Sequence, residues 1–258
     1  MIPPEDYRSL SELVYRTTGL SLGSGKEYLL ETRLASVAER HGHGDLPGLV
    51  KALRRNGDQK LAHATAEAMT TQETLFFRDN APFKILKDQL LQPMINECRK
   101  TGKRLRVWSA ASSTGQEAYS VAMTLATMIP PVQLTEAEIV ATDFSPGALD
   151  RARAGLYTQF EVQRGLPVQL LVRYFKQTPA GFQIADEMKQ RVRFGEQNLL
   201  ESFTAQGMFQ IIFCRNVLIY FDSDTKRGIL NRLADSLVPG GVLLLGAAET
   251  PYGLTELL

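Results

Sequence analysis

Val107-Trp108-Ser109-Ala110-Ala111-Ser112-Ser113-Thr114-Gly115-Gln116-Glu117-Ala118-Tyr119-Ser120 is the stretch on which the fold turns. An apolar run from Leu105 to Ser109 reads as a short buried strand, and the residues after it are too small and polar to prolong it. From Gln116 the spacing becomes helical, so the small residues form a tight strand-to-helix turn that faces the free N–H groups of a helix start. Only Gly115 of a dinucleotide glycine fingerprint is present, which makes this a poor pyrophosphate cradle and leaves a plain tight turn as the alternative.

Downstream the same unit recurs. Glu138 to Thr142, Phe209 to Cys214 and Val242 to Gly246 are apolar runs of strand length, separated by helical stretches at 116–128, 146–155 and 223–237. This rhythm predicts an α/β fold with an open, doubly wound parallel sheet, whose ligand sits beyond the carboxyl ends of the strands. The strand ends are then the places to look. They carry the turn quoted above, Thr142-Asp143-Phe144-Ser145, and Arg215-Asn216-Val217.

Upstream the pattern is helical throughout. Tyr7, Leu10, Leu13 and Val14 precede a stop at Gly19, and Leu30, Leu34, Val37 and Ala38 precede Gly42. Asp45 and Asp58 are expected caps for two further helices, burying Leu46, Leu49, Val50 and Leu53, then Leu61, Ala68 and Met69. After Asn80 a helix carrying Phe83, Leu86 and Leu90 runs through Pro93 to Gly102. The expected domains are residues 1–80, helical, and 81–258, α/β. The segment Phe175 to Ala185, with a short Pro179-Ala180-Gly181 turn, reads as a hairpin inside a small β subdomain near 158–192.

The 258 residues suffice for such a pair of units, and 44% hydrophobic with 22% charged residues is ordinary for a globular chain. A formal charge of +1 gives no general attraction for a polyanion, so nucleic acid is an unlikely partner. No run reaches the length of a membrane span and the N-terminus lacks signal-peptide character, so a soluble cytoplasmic protein is expected. Cys98 and Cys214 are expected to be reduced and buried. His41-Gly42-His43 has no third ligand at a useful spacing, and no metal is expected.

Asp143 ends the second strand, where a carboxylate can accept hydrogen bonds from ribose hydroxyls. Ser145 ahead of Pro146 is a better helix cap, which would leave Asp143 free for a ligand.

Three long segments occur in order: Met69-Thr70-Thr71-Gln72-Glu73-Thr74-Leu75-Phe76-Phe77-Arg78, the strand-turn-helix stretch, and Phe213-Cys214-Arg215-Asn216-Val217-Leu218-Ile219-Tyr220-Phe221. In these the chain resembles the CheR family of chemotaxis receptor glutamate methyltransferases. The resemblance implies an N-terminal all-helical domain, a Rossmann-like class I methyltransferase sheet and an inserted β subdomain. It further implies S-adenosylmethionine as cofactor, leaving as S-adenosylhomocysteine. Thr74 and Arg78 would approach its methyl end, Glu117 the methionine portion, Asp143 the ribose, and Asn198 and Leu199 the adenine. Asn216 would meet it from the end of the Phe209 to Cys214 strand, with Gln72, Ala110 and Val217 completing the cofactor shell. Arg78 and Tyr220 would be the catalytic pair, with Tyr220 bordering the acceptor channel.

The chemistry fits these residue types. A glutamate with a pKa of about 4.3 is already ionised at neutral pH and needs no general base. It needs desolvation and aim, which a planar guanidinium at Arg78 can supply. The Thr74 to Arg78 segment also admits a plainer reading, as a helix start whose phenylalanines pack in an interdomain seam.

The chain departs from the family at Gln72, where relatives carry Asn, at Gln116 and Ala118 of the turn, and at Ala247-Ala248 ahead of Glu249. Lys26, Arg33 and Arg40 form a thin basic stripe that could lie along the cytoplasmic helical domain of a methyl-accepting receptor, a charged solvent face being the alternative. The short hairpin turn points to independence from the receptor's C-terminal pentapeptide. A monomer is expected. The chain stops at Leu258, where methyltransferases of this kind normally add an antiparallel hairpin, so truncation is one explanation of its length. Two rival functions remain: a methyltransferase for a small molecule or a base, and an adaptor that binds the cofactor without turnover. The proline-containing motif of base amino-group methylation is absent from Arg215-Asn216-Val217-Leu218.

Overall fold

The computed structural model describes residues 2–23, 25–128 and 136–255; Leu258, and with it the expectation about the chain's end, lies outside them. By its contacts the chain divides into two units, Met1–Thr71 with Tyr220–Gly228, and Gln72–Ile219 with Ile229–Leu258. Residues 72–80, which helical periodicity groups with the first segment, have their contacts in the second unit.

The first unit contains four helices, α1 (Pro4–Thr18), α2 (Glu27–Arg40), α3 (Leu46–Asn56) and α4 (Gln59–Met69). Proline at the first turn, with Glu5 and Asp6 beside it, favours the start of α1, and Gly19 at φ 75° ends it in the left-handed region. Asp45 caps α3 by accepting from the Gly48 N–H, and Asp58 caps α4 by accepting from Lys60 and Leu61. The apolar stripes meet in a core of Leu10, Val14, Leu30, Leu34, Val37, Leu49, Val50, Leu61 and Met69. Arg33 is no free member of a basic stripe, because its Nη1 donates to the carbonyls of Met69 and Thr70 at 2.8 and 3.0 Å, satisfying the open end of α4.

The second unit begins with α5 (Ala81–Ile85), a π turn over Leu86–Leu90 and α6 (Leu91–Thr101). Pro93 lacks an N–H and its ring would strike the Gln89 carbonyl in a regular helix, so the widened turn before it has a local cause. The strands and helices then alternate: β1 (Leu105–Ala110), α7 (Gln116–Met128), β2 (Ala137–Asp143), α8 (Pro146–Ala154), β3 (Leu156–Tyr157), α9 (Gln159–Gln163), α10 (Val168–Tyr174), β4 (Phe175–Thr178), β5 (Gly181–Ile184), α11 (Asp186–Lys189), β6 (Val192–Glu196), β7 (Phe209–Cys214), α12 (Ser223–Asp235) and β8 (Leu237–Leu245).

Five strands form one parallel sheet in the order β6-β2-β1-β7-β8. From β1 the chain winds outward to β2 and β6, then crosses back to β7 and β8, so the topological switch lies between β1 and β7. Strand β6 is the member of this sheet that the periodicity did not reveal: Val192-Arg193-Phe194-Gly195-Glu196 alternates, is only partly buried and includes a glycine. In β8 the register slips between Phe209↔Leu237 and Ile211↔Val242, which accommodates Pro239-Gly240-Gly241.

The expected hairpin is present as β4–β5, its turn reduced to Pro179-Ala180 because Gly181 already pairs in β5, and it is joined by β3, giving a three-stranded antiparallel sheet in the order β3-β5-β4. Gly181 at φ 137° brings the chain against the Tyr157 carbonyl, where a Cβ would collide. Phe76 lies edge-on to Tyr157 and Phe175, and Phe77 to Phe83. Both phenylalanines therefore belong to the second unit's own core. The interdomain-seam expectation for them is corrected.

Candidate functional site

The expected site residues of the second unit gather where its strands end. Ala110 closes β1, paired with Thr142 of β2 on one side and Cys214 of β7 on the other. Asp143 closes β2 opposite Glu196 of β6. Asn198 and Leu199 follow β6, and Asn216 and Val217 follow β7. Four carboxyl ends thus line one rim of the sheet, with the switch point between β1 and β7 among them.

The turn after β1 is unusually bent. Ala111 and Ser113 adopt φ 58° and 50°, and Gly115 φ 94°. A left-handed non-glycine residue costs about 1–2 kcal/mol, so the surroundings must hold the turn in place. They do so through three contacts. The Ser112 N–H donates to the Thr142 carbonyl at 2.8 Å, the Ser113 N–H donates to Asp143 Oδ2 at 2.8 Å, and the Tyr157 hydroxyl donates to the Thr114 carbonyl at 2.9 Å.

Asp143 is a hub of this rim. It is 5% exposed, and besides Ser113 it accepts from the Ser145 N–H at 2.9 Å and from Gln72 Nε2 at 3.4 Å, both on Oδ1. Ser145 does cap α8, accepting from the Ala148 N–H at 3.0 Å behind Pro146. The Asp143 carboxylate is nevertheless not unengaged: backbone donors on both sides of it, from Ser113 and Ser145, fix its position at the rim. Gln72 is brought to the same place, its carbonyl accepting from Ser113 Oγ at 2.9 Å.

Glu117, in the first turn of α7, is 8% exposed. Ser109 Oγ donates to its Oε1 at 2.8 Å and Arg215 Nη1 to its Oε2 at 3.1 Å. Burial pushes the Glu117 carboxyl above its ordinary value, while the positive Arg215 beside it pulls the other way. The Arg215 side chain is 1% exposed, and its Nη2 donates to Asp79 Oδ2 at 2.6 Å and to the Arg78 carbonyl at 2.9 Å. The Thr74 to Arg78 segment is no helix start: it runs into a tight turn in which Phe77, Asp79 and Asn80 take φ 50°, 67° and 48°. Arg78 is half-buried there, its Nη1 donating to the Glu73 carbonyl at 3.3 Å. Thr74 lies half-buried in the coil just before.

Past β7, Asn216 has φ 58° and its loop is held by one side chain. Glu249 Oε2 accepts from the N–H groups of Asn216 and Gly246 at 2.8 and 2.7 Å, and Oε1 from those of Val217 and Leu218 at 2.9 and 2.7 Å. Asn198 Oδ1 accepts from the Leu200 N–H at 3.0 Å, and Leu199 is buried. Tyr220 ends a short 3₁₀ turn, is 39% exposed, and by its contacts counts with the first unit.

Sequence reasoning missed Arg215 and Glu249 as organisers of the site, though both stand in stretches already quoted. An arginine following four buried strand residues has little room to reach water, and that was the available signal.

The residues of the rim fit an adenosyl-amino-acid cofactor. Ser112 Oγ and Asn216 Oδ1 are buried polar atoms without a hydrogen-bond partner, one on each side of the switch point. Such atoms are costly unless a ligand completes them.

The sequence profile of a family described as "CheR methyltransferase, SAM binding domain" matches residues 72–257, and that of "CheR methyltransferase, all-alpha domain" matches residues 5–70. "Chemotaxis protein methyltransferase 1" of Vibrio cholerae is 41% identical over 258 residues, spanning 99% of this chain and 92% of the relative. A protein of the same name from Pseudomonas aeruginosa is also 41% identical, over 97% and 92%. "Chemotaxis protein methyltransferase Cher2" of Pseudomonas putida is 38% identical over the same shares.

Proposed function

Because the chain belongs to the CheR methyltransferase family, we propose that it transfers the methyl group of S-adenosylmethionine to glutamate side chains of methyl-accepting chemoreceptors, forming methyl esters. The observation that carries the reading is the clustering of the expected residues on one rim. Asp143 closes β2, Asn216 follows β7 and Glu117 stands in the first turn of the helix after β1, with Arg78 tied by its carbonyl to the guanidinium that also reaches Glu117.

When bound, S-adenosylmethionine supplies an electrophilic methyl carbon on positive sulfur. Glu117 would hold the cofactor's amino-acid ammonium, Asp143 the ribose, and Asn198 and Leu199 the adenine, with Gln72, Thr74, Ala110, Asn216 and Val217 completing the enclosure. Arg78 would orient the acceptor carboxylate by its planar fork and Tyr220 would donate a further hydrogen bond. The acceptor is already an anion at neutral pH, so the chain has only to strip water from it and align it. Too strong a grip at Arg78 would stabilise the ground state, so its contribution is orientation.

The proposed acceptor is the helical cytoplasmic domain of the receptor, which places the reaction in the cytoplasm; no helix of the described residues is long and apolar enough to cross a membrane. The two-residue turn between β4 and β5 supports action independent of a receptor pentapeptide. Mass-spectrometric mapping of a receptor cytoplasmic domain after incubation with enzyme and donor tests the proposal. Added methylene mass on glutamate residues is expected; methyl groups confined to lysine or arginine nitrogens would reject it.

A further inference from the structure

Arg78 can aim an acceptor only if its own backbone is fixed, and its backbone sits in an unfavourable turn. Three of the four residues from Phe77 to Asn80 adopt positive φ without being glycine. Such a turn persists where its surroundings over-determine it. One side of it is pinned by the Phe77 N–H, which donates to the buried Ser120 Oγ at 2.9 Å. The other side is pinned by Arg215.

The Arg215 guanidinium leaves the end of β7 and divides among three partners. Nη1 reaches Glu117 in α7 at 3.1 Å, while Nη2 takes both the Arg78 carbonyl at 2.9 Å and the Asp79 carboxylate at 2.6 Å. Its Cζ also lies over the Phe83 ring, 5.8 Å from the centroid. Three separate chain segments therefore meet at one cation whose side chain is 1% exposed. A planar fork with several fixed N–H directions can satisfy this set, and a lysine ammonium cannot reproduce it.

We propose that Arg215 is a positioning residue for methyl transfer, clamping the 77–80 turn to the cofactor-side carboxylate Glu117 so that Arg78 is presented in one orientation. The proposal rests on the reading that Arg78 orients the acceptor, and it assigns Arg215 no contact with acceptor or cofactor. Asp79 is the clamp's second anchor.

The test uses Arg215→Lys and Asp79→Asn in the full chain. Asp79 has a side chain 42% exposed, so its variant keeps the fold even where the buried substitution strains it. Hydrogen exchange of the 77–80 amides is measured without acceptor, S-adenosylhomocysteine affinity by calorimetry, and kcat and KM with a receptor cytoplasmic domain at saturating donor. Both variants are expected to exchange faster at 77–80 and to lose kcat by about tenfold or more, a loss of the size that misaligned reactants produce. Asp79→Asn should keep product affinity within about twofold and its melting temperature unchanged, a split that general destabilisation does not produce. Wild-type kcat together with wild-type exchange at 77–80 in both variants would overturn the clamp. If instead the wild-type chain methylated no receptor glutamate while exchange at 77–80 still rose in the variants, the functional reading would fall and the clamp would stand.

Discussion

Replacing Glu249 by glutamine keeps the size of the side chain but gives one end of it hydrogens. The native carboxylate accepts four backbone N–H groups, two on each oxygen. The amide can accept two of these and must turn an NH₂ toward the other two, either the Asn216 and Gly246 pair or the Val217 and Leu218 pair. Hydrogen bonds to a charged group contribute about 1.5–3 kcal/mol each. Glu249 is only partly buried, so water recovers some of the loss, and we expect a net destabilisation of about 2 kcal/mol. For a unit of this size that lowers the melting temperature by about 4–8 °C. Because the same bonds hold Asn216 and Val217, S-adenosylhomocysteine should bind about tenfold more weakly, equivalent to about 1.4 kcal/mol. Scanning calorimetry and titration calorimetry on the purified variant read the two effects. A melting temperature and an affinity both indistinguishable from wild type would show that the carboxylate does not organise the loop.

Ser112→Ala should leave the ligand-free protein as stable as wild type or slightly more so, since the lost hydroxyl has no partner there, while weakening cofactor binding about five- to tenfold; equal affinities in calorimetry would contradict this. Gly115→Ala adds a Cβ 2.9 Å from the Ala152 Cβ and 3.2 Å from the Tyr157 hydroxyl at a residue with φ 94°, so chemical denaturation should reveal a loss of about 2 kcal/mol, and an unchanged midpoint would refute the close approach. Glu117 has a folded-state pKa raised above its ordinary value of 4.5, chiefly by burial. Its stabilising contribution is therefore fully present below the unfolded value and is lost as pH climbs through the folded one. Relative to Glu117→Gln, wild-type unfolding free energy should fall over that window, whereas its affinity for S-adenosylhomocysteine should rise as the carboxylate ionises. Parallel pH profiles for the two proteins would count against an ionising Glu117 in the site.

The main features of the fold were legible because each has a local cause. Asp45, Asp58 and Ser145 cap helices where their short side chains precede apolar periodicity, and β1, β2 and β7 are apolar runs buried in the middle of a parallel sheet. Strand β6 escaped notice because it lies at an edge, where Arg193 and Glu196 can face solvent and Gly195 breaks the pattern. The positive φ values at Phe77, Asp79 and Asn80 have no reliable signature either, since Asp and Asn are enriched there but still adopt it rarely, and Phe is not enriched at all. The site was readable to the extent that its residues sit at strand ends. What the sequence did not disclose was the set of long-range bonds that positions them: Arg33 on the end of α4, Ser113 on Asp143, Arg215 across 136 positions to Asp79, and Glu249 beneath Asn216. These depend on tertiary proximity, which periodicity does not encode.

The central claim is that this rim aligns a receptor carboxylate with the cofactor's methyl carbon and that Arg78 supplies the aim. Its most direct test measures volatile methanol released by base from a receptor cytoplasmic domain after incubation with methyl-labelled donor, using wild type and Arg78→Ala side by side. Methanol is expected from the wild-type reaction and essentially none from the variant, although the variant still binds S-adenosylhomocysteine within a few-fold. Label that survives base, or methanol formed at the wild-type rate by Arg78→Ala, would contradict it.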